Sequence, residues 1–291
     1  MPETDVWAKW LRTGRDGGSE RMRAVNLSRL AGVRDRILNR AEIQHGDTVL
    51  DVGTGQGLLG LGALDRVGPE GRVIFSDVSE PSLDDCRAEV GRLGALDRSS
   101  FVPATAVDLS PIPATSVDVI VERAVLLFIE DPGKAFDEYH RVLRPDGRLS
   151  LGEPLNIWMA VDRPGYLWGY DVTEVTDLER KLVAIERATG TADSDLLCGF
   201  DDRDLIDLAH NAGFHDIEVQ TDLSLASPPA RDDLDVFLDT APNPLAATTR
   251  ALMKAALTPD EAERFQAVLG DALREGRGER RQASTLLRAR A

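Results

Sequence analysis

The chain has two cysteines in 291 residues. Cys86 and Cys198 are too few for a disulfide framework and have no metal-type spacing. That excludes a structural zinc site, leaves no metal expected, and points to a reducing, cytoplasmic setting. Long apolar runs are missing as well, since no stretch approaches the roughly 18 residues a membrane span needs. The N-terminus mixes Lys9, Arg12 and Arg15 with Trp7 and Trp10 and lacks the apolar core of a signal peptide. A soluble protein of the cell interior with no membrane partner is expected. Basic charge is also short: 34 Lys and Arg face 50 Asp and Glu, a formal net charge of −16. Nucleic-acid binders displace counterions from phosphates with basic surface, so a nucleic-acid partner is disfavoured. The one dense basic run, Arg274, Arg277, Arg280 and Arg281, is broken by Glu275 and Glu279 and reads as a solvated face. Of the four histidines, His45, His140, His210 and His215, each reads as an ordinary side chain.

What is present is regular alternation. Met22, Val25, Leu30, Val33, Ile37 and Leu38 recur at helical spacing and predict a helix over 19–40. Strands are predicted at 48–52, 72–76, 101–102, 117–121 and 148–152, with helices at 58–66, 82–93 and 132–143 between them. Five strands alternating with helices predict a doubly wound, mostly parallel sheet covered on both faces. Beyond it lie a helical stretch over 172–189, a helix over 202–212 and strands at 215–223 and 284–289, which bring the sheet to seven strands. Thr258-Pro259-Asp260-Glu261 reads as a helix start, with a threonine cap, proline at the first helical position and a carboxylate three residues on.

The most informative segment is Asp51-Val52-Gly53-Thr54-Gly55-Gln56-Gly57, between a strand and a helix. Glycines there allow positive φ and close approach of backbone to a ligand, and the helix N-terminus suits a carboxylate or phosphate. Asp77 closes the next strand, where a carboxylate can accept both hydroxyls of a ribose. Gly55 to Gly60 also satisfies G-x-G-x-x-G, so a nicotinamide-dependent oxidoreductase is a rival reading. In that pattern the first glycine follows the strand directly, and here Gly53 does. Asp51 would oppose a pyrophosphate, whereas it favours a ligand carrying ammonium and sulfonium groups.

Asp51 to Gly57 resembles motif I of the class I S-adenosylmethionine-dependent methyltransferases, and Asp77 resembles the acid ending their second strand. Ser116 to Ile120 is similar to their fourth strand, and Arg141 to Leu149 to the turn before their fifth. The resemblance covers roughly residues 40–225 and implies a Rossmann-like core that binds S-adenosylmethionine and releases S-adenosylhomocysteine. It implies that Asp51, Gly53, Thr54, Gly55 and Gly57 form the methionine side of the site, and that Asp77 and Val78 take the ribose and an adenine face. Thr105 and Ala106 fall where the family often has an aspartate and a small residue beside the adenine amino group; the threonine is a departure. Glu122 and Arg123 leave the fourth strand beside the donor's reactive end.

Methyl transfer from a sulfonium is an in-line displacement in which positioning supplies much of the acceleration. A general base is needed only if the acceptor must lose a proton, so the catalytic candidates are Glu122, Arg123, Glu153 and Asn156. The last two end the fifth strand, at the sheet edge where open α/β folds place ligands. The aromatics Trp7, Trp10, Trp158, Tyr166, Trp168 and Tyr170, with Glu153 and Asn156, are candidates for an apolar acceptor pocket. The expected division is an N-terminal arm (1–40), a core (41–154, 201–223 and 284–291) and two helical cap inserts (155–200 and 224–283). The arm and inserts would form a lid over a small, largely apolar metabolite of quinone or natural-product type, or serve a homodimer interface. A donor-binding enzyme that catalyses another reaction on the same scaffold, or a non-catalytic binding module, stays open beside this reading.

Overall fold

A computed structural model of the chain describes residues 5–159, 163–188 and 199–291. In chain order the helices used below are α1 (Val6–Arg12), α2 (Glu20–Arg40), α3 (Leu58–Val67), α4 (Glu80–Arg92), α5 (Pro132–Val142) and α6 (Asn156–Met159). They continue with α7 (Thr176–Ala188), α8 (Asp202–Asn211), α9 (Leu234–Asp239), α10 (Thr249–Ala256) and α11 (Pro259–Glu275). The strands are β1 (Thr48–Val52), β2 (Arg72–Asp77), β3 (Ser99–Pro103), β4 (Val117–Arg123) and β5 (Leu143–Pro154). After them come β6 (Tyr166–Leu167), β7 (Tyr170–Asp171), β8 (His215–Ala226) and β9 (Arg280–Arg290).

The described residues fall into two compact units. A sheet unit comprises those of 26–155, 198–221 and 284–291, and a helical unit those of 1–25, 156–197 and 222–283. The seven-stranded sheet runs β3-β2-β1-β4-β5-β9-β8. Its first five strands pair in parallel and β9 joins β5 antiparallel, the mostly parallel arrangement the alternation predicts. β1 shows why: Val49, Leu50, Asp51 and Val52 are all buried, as a central strand covered on both faces requires. Beneath it Ile37, Leu38, Ala63, Leu64, Val67, Val73, Phe75 and Val121 share one apolar cluster. The arm predicted to span residues 1–40 therefore stops short. From residue 26 on, α2 groups with the sheet, because Ile37 and Leu38 are core side chains.

Three boundaries differ from expectation for a physical reason. The turn Arg144-Pro145-Asp146-Gly147 was expected before the fifth strand, yet β5 begins at Leu143, which pairs with Val117. Arg148 then pairs with Val119, so the four residues bulge out of a strand that continues on both sides. Asp146 turns the chain at φ 63°. β8 and β9 run three and four residues beyond the predicted strands at one end, to Ala226 and back to Arg280, since ladder pairing sets their ends more than local propensity does.

The helical unit has its own core, in which Val175, Leu178, Leu182, Phe237, Phe265, Leu269 and Leu273 pack together. α11 starts as predicted: Thr258 accepts from the Glu261 amide and Glu261 reaches back to the Thr258 amide, with Pro259 first in the helix. The basic run is ion-paired, Arg277 lying 3.0 Å from Glu275 and 3.4 Å from Asp171, and Arg281 3.8 Å from Glu279. Among the described residues no helix is long and apolar enough to cross a membrane.

Candidate functional site

At the end of β1 the chain must leave a buried strand and enter α3 within five residues. Gly53, Gly55 and Gly57 make the turn at φ 63°, 53° and 82°, conformations that carry little penalty only in glycine. Gly53 has a second reason to lack a side chain, because a Cβ there would lie 2.2 Å from Val125 Cγ2. The Thr54 amide donates to Ser76 O at 2.9 Å and the Gly57 amide to Thr54 O at 2.8 Å, tying the turn to β2 and to itself.

Asp51 governs the junction. Its Oδ2 accepts from Thr54 Oγ1 at 2.6 Å and from the Gly60 amide at 2.7 Å. Gly57, at the N-cap of α3, has no side chain to satisfy the helix's first amides. The carboxylate of Asp51 takes that task from the strand below. Gly60 leaves the room for it, since a Cβ there would stand 2.9 Å from Asp51 Oδ2 and 2.4 Å from Phe75 Cε1. Burial pushes the Asp51 carboxyl up to about 7, against the pull of Thr54 and Gly60 and with a further rise from the charge of Asp77. Asp51, expected to face a positive ligand, spends Oδ2 on Thr54 and Gly60 of the turn and helix start.

Asp77, at the end of β2, is mostly buried. Its Oδ2 accepts from the Gly55 amide and its Oδ1 from the Ser79 amide, both at 2.8 Å. A carboxylate oxygen keeps a further lone pair after one bond, so Asp77 can hold the turn and still accept from a ligand. Val78 beside it is exposed, 52%, an apolar surface next to the acid. Beyond β3, Thr105 is exposed and Ala106 buried, in a turn closed by the Asp108 amide donating to Thr105 O at 3.1 Å. Cys86, from α4, donates its thiol to Gly55 O at 3.2 Å. It packs behind the turn, and burial pushes the thiol up to about 12, which disfavours the thiolate a nucleophile needs. Cys198 lies outside the described residues.

Glu122 and Arg123 end β4, and Glu153 lies near the end of β5. Both glutamates are fully buried. Glu122 Oε1 lies 3.0 Å and Glu153 Oε1 2.8 Å from the Val125 amide, and Glu153 Oε1 also accepts from Leu126 N at 3.0 Å. Burial first, then the charge of Glu153, raises Glu122 well above the usual carboxylate range. Glu153 is raised by burial and held back by Glu122, the two amides and Arg123. The amides of Val125 and Leu126 and the left-handed Ala124, φ 55°, are parts of the site that sequence reading missed. Nothing in residue type announces them, because their role lies in backbone atoms. Asn156 opens α6 rather than ending β5, and groups with the helical unit.

The aromatic candidates all lie in the helical unit, with different duties. The Trp10 indole donates to Ala241 O at 2.9 Å, and Trp7 shares α1 with it. Tyr170 is buried, donates to Pro229 O at 2.8 Å and meets Phe237 edge-on at 5.4 Å. Trp168 leans on the same Phe237 at 5.4 Å, and Tyr166 lies under the Arg163 guanidinium at 4.2 Å. Trp158 is half exposed and lines a groove of about 310 Å³ with Leu223, Ser224, Leu225, Arg281 and Ala283. His140 packs edge-on against Phe214 at 5.3 Å, an ordinary structural contact. Among the described residues no group of His, Cys, Asp or Glu is arranged to hold a metal ion.

The glycine turn, the acid at the end of the neighbouring strand and the amides of α3 stand together at the carboxyl edge of a parallel sheet, where this fold class binds ligands. Residues 50–151 match the family model for a methyltransferase domain. Over 141 residues the chain is 33% identical to nocamycin O-methyltransferase from Saccharothrix syringae, covering 44% of this chain and 50% of that protein. It is 33% identical over 116 residues to the ubiquinone/menaquinone biosynthesis C-methyltransferase UbiE of Marinomonas sp., covering 40% of this chain and 46% of the relative. The chain thus spans at most half the length of the curated relatives it matches. A solved structure from Bacillus halodurans C-125 shares the fold at a TM-score of 0.54 and 18% identity, covering 89% of this chain and 98% of its own. The fold and site define a Rossmann-like methyltransferase domain. Within it, residues 50–151 are similar to the methyltransferase domain of class I S-adenosylmethionine-dependent methyltransferases.

Proposed function

We propose that the chain transfers a methyl group from S-adenosylmethionine to a small, largely apolar metabolite. The observation that carries this is the bond from the Gly55 amide to Asp77, which joins the glycine turn and the second-strand acid into one cradle inside the matched domain. S-adenosylmethionine supplies a methyl on an already activated sulfonium and leaves as S-adenosylhomocysteine. The chain's task is to bind and orient. Gly53 and Gly55 keep the turn's surface bare, and Asp77 has lone pairs for ribose hydroxyls. Val78 offers an apolar face to the adenine, with Thr105 and Ala106 at its edge. Holding donor and acceptor in line supplies the acceleration.

A small apolar acceptor is favoured by the charge of −16, which disfavours nucleic acid, and by the half-exposed Trp158 with Leu223 and Leu225 at its groove. The relatives named for nocamycin and for quinone biosynthesis also methylate small molecules by name. The test is incubation of the full chain with S-adenosylmethionine and a panel of phenolic, quinone and polyketide acceptors. One methyl should be added to an acceptor for each S-adenosylhomocysteine released. A product formed without methyl transfer, or donor bound and unused across the panel, would contradict the reading.

A further inference from the structure

The residues named for catalysis at the ends of β4 and β5 have a geometry that chemistry on a substrate does not explain. Glu122 and Glu153 are buried to within 1% of completely, and their Oε1 atoms converge on a single donor, the Val125 amide, at 3.0 and 2.8 Å. Their other oxygens, both Oε2 atoms, are buried without a hydrogen-bond partner among the described residues, and so is the hydroxyl of Tyr139 from α5. The charged and titratable groups facing the pair are few. Arg123 attracts Glu153, Asp51 on β1 repels Glu122, and the Tyr139 phenol is itself raised by burial and then by both acids. Two carboxylates this close in a dry site cannot both stay charged. One proton between them resolves the conflict. The charge settles on Glu153, which faces two amides, and the proton on Glu122, which faces one.

The held segment supports something else. Ala124 sits at φ 55°, an unfavourable conformation for a residue with a side chain, and its amide is tied to Gly152 O at 3.0 Å. Val125 Cγ2 then occupies the space that a side chain on Gly53 would need. We infer that Glu122 and Glu153 are one positioning device, an acid pair sharing a single proton that clamps the Val125 and Leu126 amides and so fixes the floor under the glycine turn. The inference rests on the reading of that turn as the donor site. It moves both glutamates from contacting the substrate to acting through the loop.

The test compares the full chain with E122Q and E153Q, using S-adenosylhomocysteine titration by calorimetry and urea unfolding from pH 5 to 9. Gln at 122 puts a neutral group where the pair keeps its proton, whereas Gln at 153 removes the charge that two amides point to. The expected result is that E153Q weakens S-adenosylhomocysteine binding at pH 7 at least fivefold more than E122Q does. The unaltered pair is fully favourable below the ordinary carboxylate range and loses stability as pH rises through its raised value. E122Q removes that loss, so its urea midpoint gains on the unaltered chain as pH rises. Equal losses of binding in the two variants, or urea profiles that stay parallel, would overturn the inference. Should E153Q fail to fold, the comparison of E122Q with the unaltered chain across pH decides alone. Should the unaltered chain bind no S-adenosylhomocysteine, the donor reading falls and the urea profiles still judge the pair.

Discussion

Gly53 carries two constraints at one position, a φ of 63° and Val125 Cγ2 at 2.2 Å from any added Cβ. Gly53→Ala is expected to cost about 1–3 kcal/mol of stability, read by urea unfolding, and to weaken S-adenosylhomocysteine binding at least tenfold. Asp51 makes a prediction of a different kind. Its folded value of about 7 lies above the ordinary 3.8, so folding favours its neutral form. That contribution is complete below pH 4 and is lost as pH rises toward 7. Asp51→Asn removes the loss, so the variant's stability relative to the unaltered chain should rise between pH 4 and 7; a constant difference would show that Asp51 stays charged throughout. The spacing of Asp51, the glycines and Asp77 was legible in the sequence, because residue type and separation carry it. The direction of the Asp51 carboxylate was not. Strand position fixes the face on which a side chain lies, but the partner it finds depends on where α3 begins.

At the level of elements, capping chemistry was the most readable signal. Thr258, Pro259 and Glu261 marked the start of α11, and the structure shows the reciprocal bonds. Thr258→Ala should lower stability by about 1 kcal/mol in urea unfolding while leaving S-adenosylhomocysteine affinity unchanged, since α11 belongs to the helical unit. The central strands were legible because burial on both faces leaves apolar runs such as Thr48–Val52. The excursion of Arg144 to Gly147 read as a separate turn because its composition is that of a turn; only the pairing of Leu143 with Val117 reveals a strand on both sides of it. The short hairpin of β6 and β7 and the helices α9 and α10 went unread. Two-residue strands and six- to eight-residue helices offer too few positions for a period to show, and packing around Phe237 and Phe265 holds them.

For the whole molecule, charge and composition narrowed the partners without identifying one. The aromatics of α1 and of the segment after β5 were read together as candidates for pocket lining, but Tyr170 is a core side chain and the Trp10 indole is held by Ala241. Trp158 is the half-exposed member that lines a groove. Under the proposed function, Trp158→Ala should raise the KM for an apolar acceptor severalfold and leave donor affinity as it was, in steady-state assays with varied acceptor. Residue type alone could not sort these aromatics, because the same ring serves a core and a binding surface equally well. Every functional step above depends on the turn from Asp51 to Gly57, with Asp77, binding S-adenosylmethionine. Calorimetric titration of the full chain with S-adenosylhomocysteine tests it most directly. One saturable site is expected, its affinity falling at least tenfold in Asp77→Ala; no saturable binding, or saturation by a nicotinamide dinucleotide instead, would contradict donor binding at this turn.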